Sequence, residues 1–290
     1  MTGPPPDSQS FIEVSDGITH YSLTRPENTL ESQPPVVVFL HGATVSMLEF
    51  DRLLPFFTAA NYTCLQFDFF GCGYSDRPAS QHNLNLFTRQ LSELLSGLAI
   101  SGRVHLVGHS LGAAVAAHFA RRYPAQVAKI ILGAPLVDGF ANIKSLYLLR
   151  IPIVGELLMK WVVVPKLIKR RAKRYRQAGM YEDQLKKEGF ERSLLSLIRS
   201  GSLAGQIKLY QSDELRTIAK AKEVLIIRGR DDKIMSFDQF REVCLSLPKA
   251  FSLQLEGKHA VMLTRPELVS DSFLSFLSSQ HIPPKHRSTS

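Results

Sequence analysis

The chain has 290 residues, 44% of them hydrophobic, enough for one large domain with a full apolar core, or one domain with a lid. Its formal charge is +9, but residues 160–176 hold eight Lys and Arg and no acid, so the basicity is local. That argues for one cationic patch and against a general nucleic-acid-binding surface. The opening MTGPPPDSQS lacks the basic and apolar regions of a signal peptide. No apolar run reaches the ~18 residues of a spanning helix. Three cysteines with no metal spacing fit a reducing, cytoplasmic setting, with Cys64 a small buried hydrophobe.

In chain order, residues 1–10 are rich in Pro and Ser and read as a disordered N-terminus. Phe11 to Leu23 carries strand-like β-branched and aromatic residues. Val36 to Leu40 (VVVFL) is a continuous apolar run, as expected for a central strand covered on both faces. Tyr62 to Asp68 is the next strand. Asn83 to Leu98 has helical apolar spacing, from Leu84 and Phe87 to Leu94 and Leu98. Val104 to Val107 is a buried strand, and Leu111 to Ala120 is an Ala-rich run of helix formers. Val127 to Leu132 follows as a strand. From 137 to 215 there is no convincing strand. Val224 to Arg228 and Phe251 to Leu255 resume the strands, Pro266 to Leu277 closes with a helix, and 281–290 is a polar, flexible tail. Strands alternating with helices predict an α/β fold with a mostly parallel sheet.

Between the Val104 strand and its helix lies Gly108-His109-Ser110-Leu111-Gly112. An abrupt strand-to-helix turn puts its central residue in a strained backbone conformation, and flanking glycines let the turn pass its neighbours. The serine hydroxyl then stands at a helix N-terminus, where N–H groups and the helix dipole favour negative charge. With the strand before and the helix after, this G-x-S-x-G resembles the nucleophile elbow of the α/β-hydrolase family, in its esterase/lipase-like branch. Asp68-Phe69-Phe70-Gly71-Cys72-Gly73-Tyr74-Ser75 is similar to that family's D-x-x-G-x-G-x-S loop. The resemblance covers about residues 11–280. It implies a mostly parallel central sheet flanked by helices, with 11–136 and 216–280 as the core and 137–215 as an inserted helical cap.

The resemblance also implies chemistry. Ser110 would be the nucleophile, His259 the general base and Asp232 the acid that orients it, in the family's order Ser, acid, His. Asp232 is the third residue after Gly229; Asp231 and Asp138 stay open as alternatives. His259 follows Lys258, where the family usually has glycine. The oxyanion hole would come from the Ala43 and Leu111 N–H groups. His41, ahead of Ala43, is expected to hold that loop. His20, His82, His105, His118, His281 and His286 have no such context, and Asp68 and Asp76 are expected as structural acceptors. No cofactor and no metal are implied. The reaction expected is hydrolysis of a small hydrophobic ester, with carbon–carbon or thioester hydrolysis as the alternative and a non-catalytic ligand-binding role as a lesser one.

Within the insertion, IPIVGELLMKWVVV (151–164) is unusually apolar, and Leu157, Leu158 and Trp161 fall at helical spacing. They are the expected substrate contacts. Lys166 to Arg176 follows directly. Three readings stay open: a roof over the site with a solvated cationic edge, a cationic entrance for an acidic substrate, or a peripheral contact with an anionic membrane.

Overall fold

The computed structural model describes residues 9–27, 33–138, 145–177, 185–221 and 223–278. The expected disordered N-terminus and flexible tail lie almost wholly outside the described residues. So do the side chains of Arg171, Lys173, Arg174 and Arg176.

The chain runs β1 (Gln9–Val14), β2 (Gly17–Thr24), β3 (Val36–Leu40), α1 (Leu54–Ala59), β4 (Thr63–Phe67), α2 (Leu84–Gly97), β5 (Val104–His109), α3 (Leu111–Arg122) and β6 (Val127–Gly133). Helices then take over: α4 (Ser145–Leu149), α5 (Val154–Leu158), a π turn (Met159–Val163), α6 (Val164–Gln177), α7 (Phe190–Arg199), α8 (Ile207–Tyr210) and α9 (Asp213–Lys220). The sheet resumes with β7 (Val224–Gly229), α10 (Phe237–Ser246), β8 (Phe251–Leu255), α11 (Val261–Thr264) and α12 (Pro266–Ser278).

The eight strands form one sheet in the order β1-β2-β4-β3-β5-β6-β7-β8. The β1–β2 and β2–β4 pairs are antiparallel, and all others are parallel. This is the mostly parallel sheet expected. Continuous apolar strands serve it because both faces are covered. Along β3, Val38 and Leu40 join one apolar layer while Val37 and Phe39 join the other. In β7, Ile226 points to the first layer and Leu225 and Ile227 to the second. The two-residue period of a strand thus feeds two cores. The first holds α2 and α3, the second Phe57 of α1 and Phe273 and Phe276 of α12. Cys64 is buried in the second, and burial pushes its thiol up to about 12, as an inert hydrophobe requires.

The helical stretch expected over 137–215 divides in two. α4, α5 and the π turn pack on α7, whereas α8 and α9 pack on α3. The chain is therefore back on the core's helical layer by Ile207. Among the described residues, no helix is long and apolar enough to cross a membrane.

Gly112 fixes how α3 meets the sheet. A Cβ there would overlap the Leu40 carbonyl oxygen at the end of β3. Gly112→Ala therefore cannot be absorbed by a side-chain movement. It should cost about 3 kcal/mol, the upper end of overpacking effects, as read by urea unfolding.

Candidate active site

Four loops leave the carboxyl ends of β3, β5, β7 and β8, and the candidate residues stand on them. Ser110 occupies the single position between β5 and α3, at φ 54° and ψ −111°. That conformation is costly for a residue with a Cβ. It is held by its neighbours: Ser110 N–H donates to Gly133 O at 2.9 Å, and Ser110 O accepts from Ala113 N–H at 3.1 Å and Leu136 N–H at 3.3 Å. The side chain stands at the N-terminus of α3, and the residue is 8% exposed. Leu111 is the first residue of α3, where backbone N–H groups have no intrahelical acceptor.

Asp232 and His259 meet. His259 Nδ1 donates to Asp232 Oδ2 at 2.8 Å. The other carboxylate oxygen accepts from Ile234 N–H at 2.8 Å and Met235 N–H at 3.0 Å. Burial alone would raise the Asp232 carboxyl, but the bond to His259 and these N–H groups outweigh it and hold it below its ordinary value. Burial pushes His259 below its ordinary value of 6.5, against the pull of Asp232, and the charge on His109 adds to the push. Gly229 lets the two loops touch, because a Cβ there would strike the carbonyl oxygens of Gly257 and Lys258. Lys258 stands where a glycine was expected; the left-handed residue falls one earlier, at Gly257, with φ 141°.

The competing acids point elsewhere. Asp231 is exposed, and only its backbone N–H is engaged, with Gly257 O at 2.9 Å. Asp138 Oδ1 accepts from Gly205 N–H at 2.6 Å. His41 Nε2 accepts from Phe69 N–H at 2.9 Å, so its proton is on Nδ1, which donates to Gly42 O at 2.7 Å. Both ring nitrogens are spent on fixing the loop that carries Ala43. Asp68 and Asp76 are acceptors, from Met47 N–H and Ile18 N–H, both at 2.8 Å.

The three residues expected to contact substrate do not share one face. Leu157 and Trp161 turn to solvent, and only Leu158 packs, half-buried, on the apolar core. The inner face of that helix is taken by Gly155, Met159 and Val164.

Three residues that sequence reasoning passed over complete the site. Glu49, buried after β3, lies 2.7 Å from His109 Nδ1 through Oε1 and accepts from Gly42 N–H at 2.9 Å through Oε2. His109 Nε2 donates to the His259 carbonyl at 2.9 Å. A carbonyl can only accept, so Nε2 carries a proton; Nδ1 against a carboxylate needs another. The pair therefore shares an extra proton. The Nδ1–Glu49 contact is an ion pair and not a well-aligned hydrogen bond. Burial disfavours charge on both, but their attraction wins: His109 is raised, and Glu49 is lowered to about 2. The only hint in the sequence was a His at the variable position of the elbow. Arg228, also buried, braces the acid loop through Asp232 O at 3.3 Å and Met235 O at 3.0 Å. No group of three or more His, Cys, Asp or Glu among the described residues is placed to hold a metal ion.

An eight-stranded, mostly parallel sheet with a strained serine after its fifth strand, and an acid and a histidine after its last two, defines an α/β-hydrolase fold. The sequence matches the alpha/beta hydrolase family over residues 37–272, and the chain belongs to that family. It is 27% identical over 250 residues to human Protein ABHD8, covering 83% of this chain and 55% of that one. It thus spans about half the length of the ABHD8 relatives. It is 25% identical over 300 residues to the Bifunctional esterase/perhydrolase DCH of Acinetobacter calcoaceticus, covering 93% and 99%. The fold also matches a bromoperoxidase from Bacillus anthracis with a TM-score of 0.73 at 17% identity, over 94% of this chain and all of that one.

Glu49→Ala should destabilise the fold by about 3–5 kcal/mol, because it strands a buried imidazolium. Glu49→Gln should cost far less, since an amide can accept from Gly42 and donate to neutral His109. The signs of the pH dependence follow. Glu49's contribution is present above its ordinary 4.5 and lost as pH falls toward about 2. His109's is present below its ordinary 6.5 and lost as pH rises through its raised value. Urea unfolding across this range should show both in the wild type and neither in Glu49→Gln.

Proposed function

We propose that the chain is a serine hydrolase that cleaves carboxylic esters through an acyl-enzyme on Ser110. His259 takes the Ser110 proton as Oγ attacks the ester carbonyl. Asp232 holds the imidazole in the tautomer that bears its proton on Nδ1, leaving Nε2 to accept, and stabilises the imidazolium that forms. The Ala43 and Leu111 N–H groups take the oxyanion. The alkoxide leaves with the proton from His259, and a water activated by the same base releases the acid. The observation that carries this reading is the Asp232–His259 hydrogen bond, on a loop tied by 2.9 Å to the residue before Ser110.

The substrate we assign is a hydrophobic ester with a medium-to-long acyl chain. Leu136, Met235 and Ala260 adjoin the elbow, the acid loop and the base, and share one apolar cluster with Met159 and Leu195 of the helical insertion. An apolar surround of this kind favours an apolar acyl group. The esterase in the name of the Acinetobacter relative points the same way.

A fluorophosphonate should label the wild type and not Ser110→Ala; equal labelling of the two would remove the serine from the reaction. Asp232→Asn should lower kcat on the order of 10⁴-fold, as loss of the acid does in serine proteases, while Asp231→Asn and Asp138→Asn should change it little. A panel of nitrophenyl esters and thioesters of increasing chain length tests the substrate.

Only neutral His259 can accept the proton, and its value is held below the ordinary 6.5. The acidic limb of kcat/KM should therefore lie below that pH, and activity should be flat through neutrality.

A further inference from the structure

The outer face of the helical insertion is unlike the rest of the surface. Seven of the thirteen exposed large apolar side chains among the described residues fall within 147–161, including Tyr147, Leu148, Ile151, Ile153, Leu157 and Trp161. Single exposed apolar residues are ordinary; a clustered run marks an interaction surface. Trp161, the one tryptophan of the chain, is 69% exposed, and Ile153 is 74% exposed. Ile153 is also strained, a β-branched residue at φ 68° and ψ −52°. Its side chain gains no burial in return.

Helical phase carries this face onward into charge. From Val154 to Gln177, α5, the π turn and α6 run without a break. The buried positions are Gly155, Met159 and Val164, and the five-residue step is the π turn. The exposed positions include Val154, Leu157, Lys160 and Trp161, then Lys166, Lys169 and Arg170. Lys160 Nζ lies 5.5 Å from the Trp161 ring, and the Arg150 guanidinium lies 5.9 Å from Tyr147. The one acid in 145–177 is Glu156, whose two oxygens are taken by Arg199 at 2.6 and 3.0 Å.

We infer that this face docks on an anionic lipid bilayer. The apolar side chains enter the headgroup–acyl boundary, Trp161 sits at the interface, and the cations meet lipid phosphate and carboxylate groups. A second copy is a poor occupant, because a self-complementary contact would bring two cationic stripes together. The inference does not depend on chemistry at Ser110, so the test uses Ser110→Ala beside the wild type.

The single tryptophan makes the face self-reporting. Vesicles of phosphatidylcholine mixed with phosphatidylserine should co-sediment the protein and shift Trp161 emission to the blue, and added salt should weaken both effects. Phosphatidylcholine alone should bind much less. Lys166→Glu, Lys169→Glu and Arg170→Glu together should weaken partitioning about a hundredfold or more, at roughly one kcal/mol for each cation lost. Leu157→Glu should remove the blue shift; all four positions are exposed, and circular dichroism checks that the variants fold. No binding to the anionic vesicles, equal binding to neutral ones, or binding indifferent to the charge reversal would overturn the inference. So would a dimer that buries Trp161 in place of vesicle binding.

Discussion

The candidate site depends on one buried carboxylate. Glu49 accepts from Gly42 with one oxygen and faces His109 with the other, and His109 reaches across to the His259 carbonyl. The loops after β3, β5 and β8 are thereby joined through two side chains. Each loop brings a different part of the proposed chemistry: oxyanion donor, nucleophile and base. An ion pair in the interior contributes little net stability by itself, since desolvation offsets attraction. Its consequence here is positional, because a shift in any of the three loops would unpair a buried charge. The pair also acts on electrostatics. A cationic His109 beside His259 makes protonation of the base less favourable, and Asp232 works against it.

Strain at Ser110 is tolerated for a related reason. Its backbone is pinned on both sides, by Gly133 of β6 and by Leu136 beyond it, so the elbow cannot relax without opening the sheet. Gly112 brings α3 close enough to β3 for the helix N-terminus to stand over the site. The central strands that carry this load are buried at all but one position each in β3 and β5 and throughout β7, which is why their sequences are largely apolar.

Much of this was legible in the sequence. Apolar runs such as VVVFL and VLIIR located the strands, and the glycine spacing located the elbow. The family resemblance, which sets the acid three residues after Gly229, pointed to Asp232, the residue that meets His259. Other features were not legible, for identifiable reasons. Glu49 and His109 are distant in the chain, and neither belongs to a local pattern, so only folding brings them together. α10 carried a readable start, since Ser236 and Gln239 form a capping box, but its apolar spacing is sparse. The outward turn of Leu157 and Trp161 was hidden differently. Periodicity tells which residues share a face, not which face is inside. The π turn then adds one residue to the step between Met159 and Val164, which a regular helical period does not anticipate.

The described residues hold three close imidazole–carboxylate pairs, of which one is proposed to transfer a proton. His20 and Asp68 meet at 2.6 Å, His109 and Glu49 at 2.7 Å, and His259 and Asp232 at 2.8 Å. Pairing distance therefore does not separate them. Access does: the His20 side chain is fully buried, that of His109 is 4% exposed, and that of His259 is 17% exposed. Direction does as well. The second nitrogen of His109 is already spent on the His259 carbonyl, so it can hold a proton but not pass one on. His259 engages its carboxylate through Nδ1, and its loop is tied to the elbow by the His109 bond to its carbonyl; Nε2 is the nitrogen the proposed reaction uses. An imidazole–carboxylate pair can thus brace loops, as His109 and Glu49 do, or leave a nitrogen for the base role proposed for His259, according to what the second nitrogen meets.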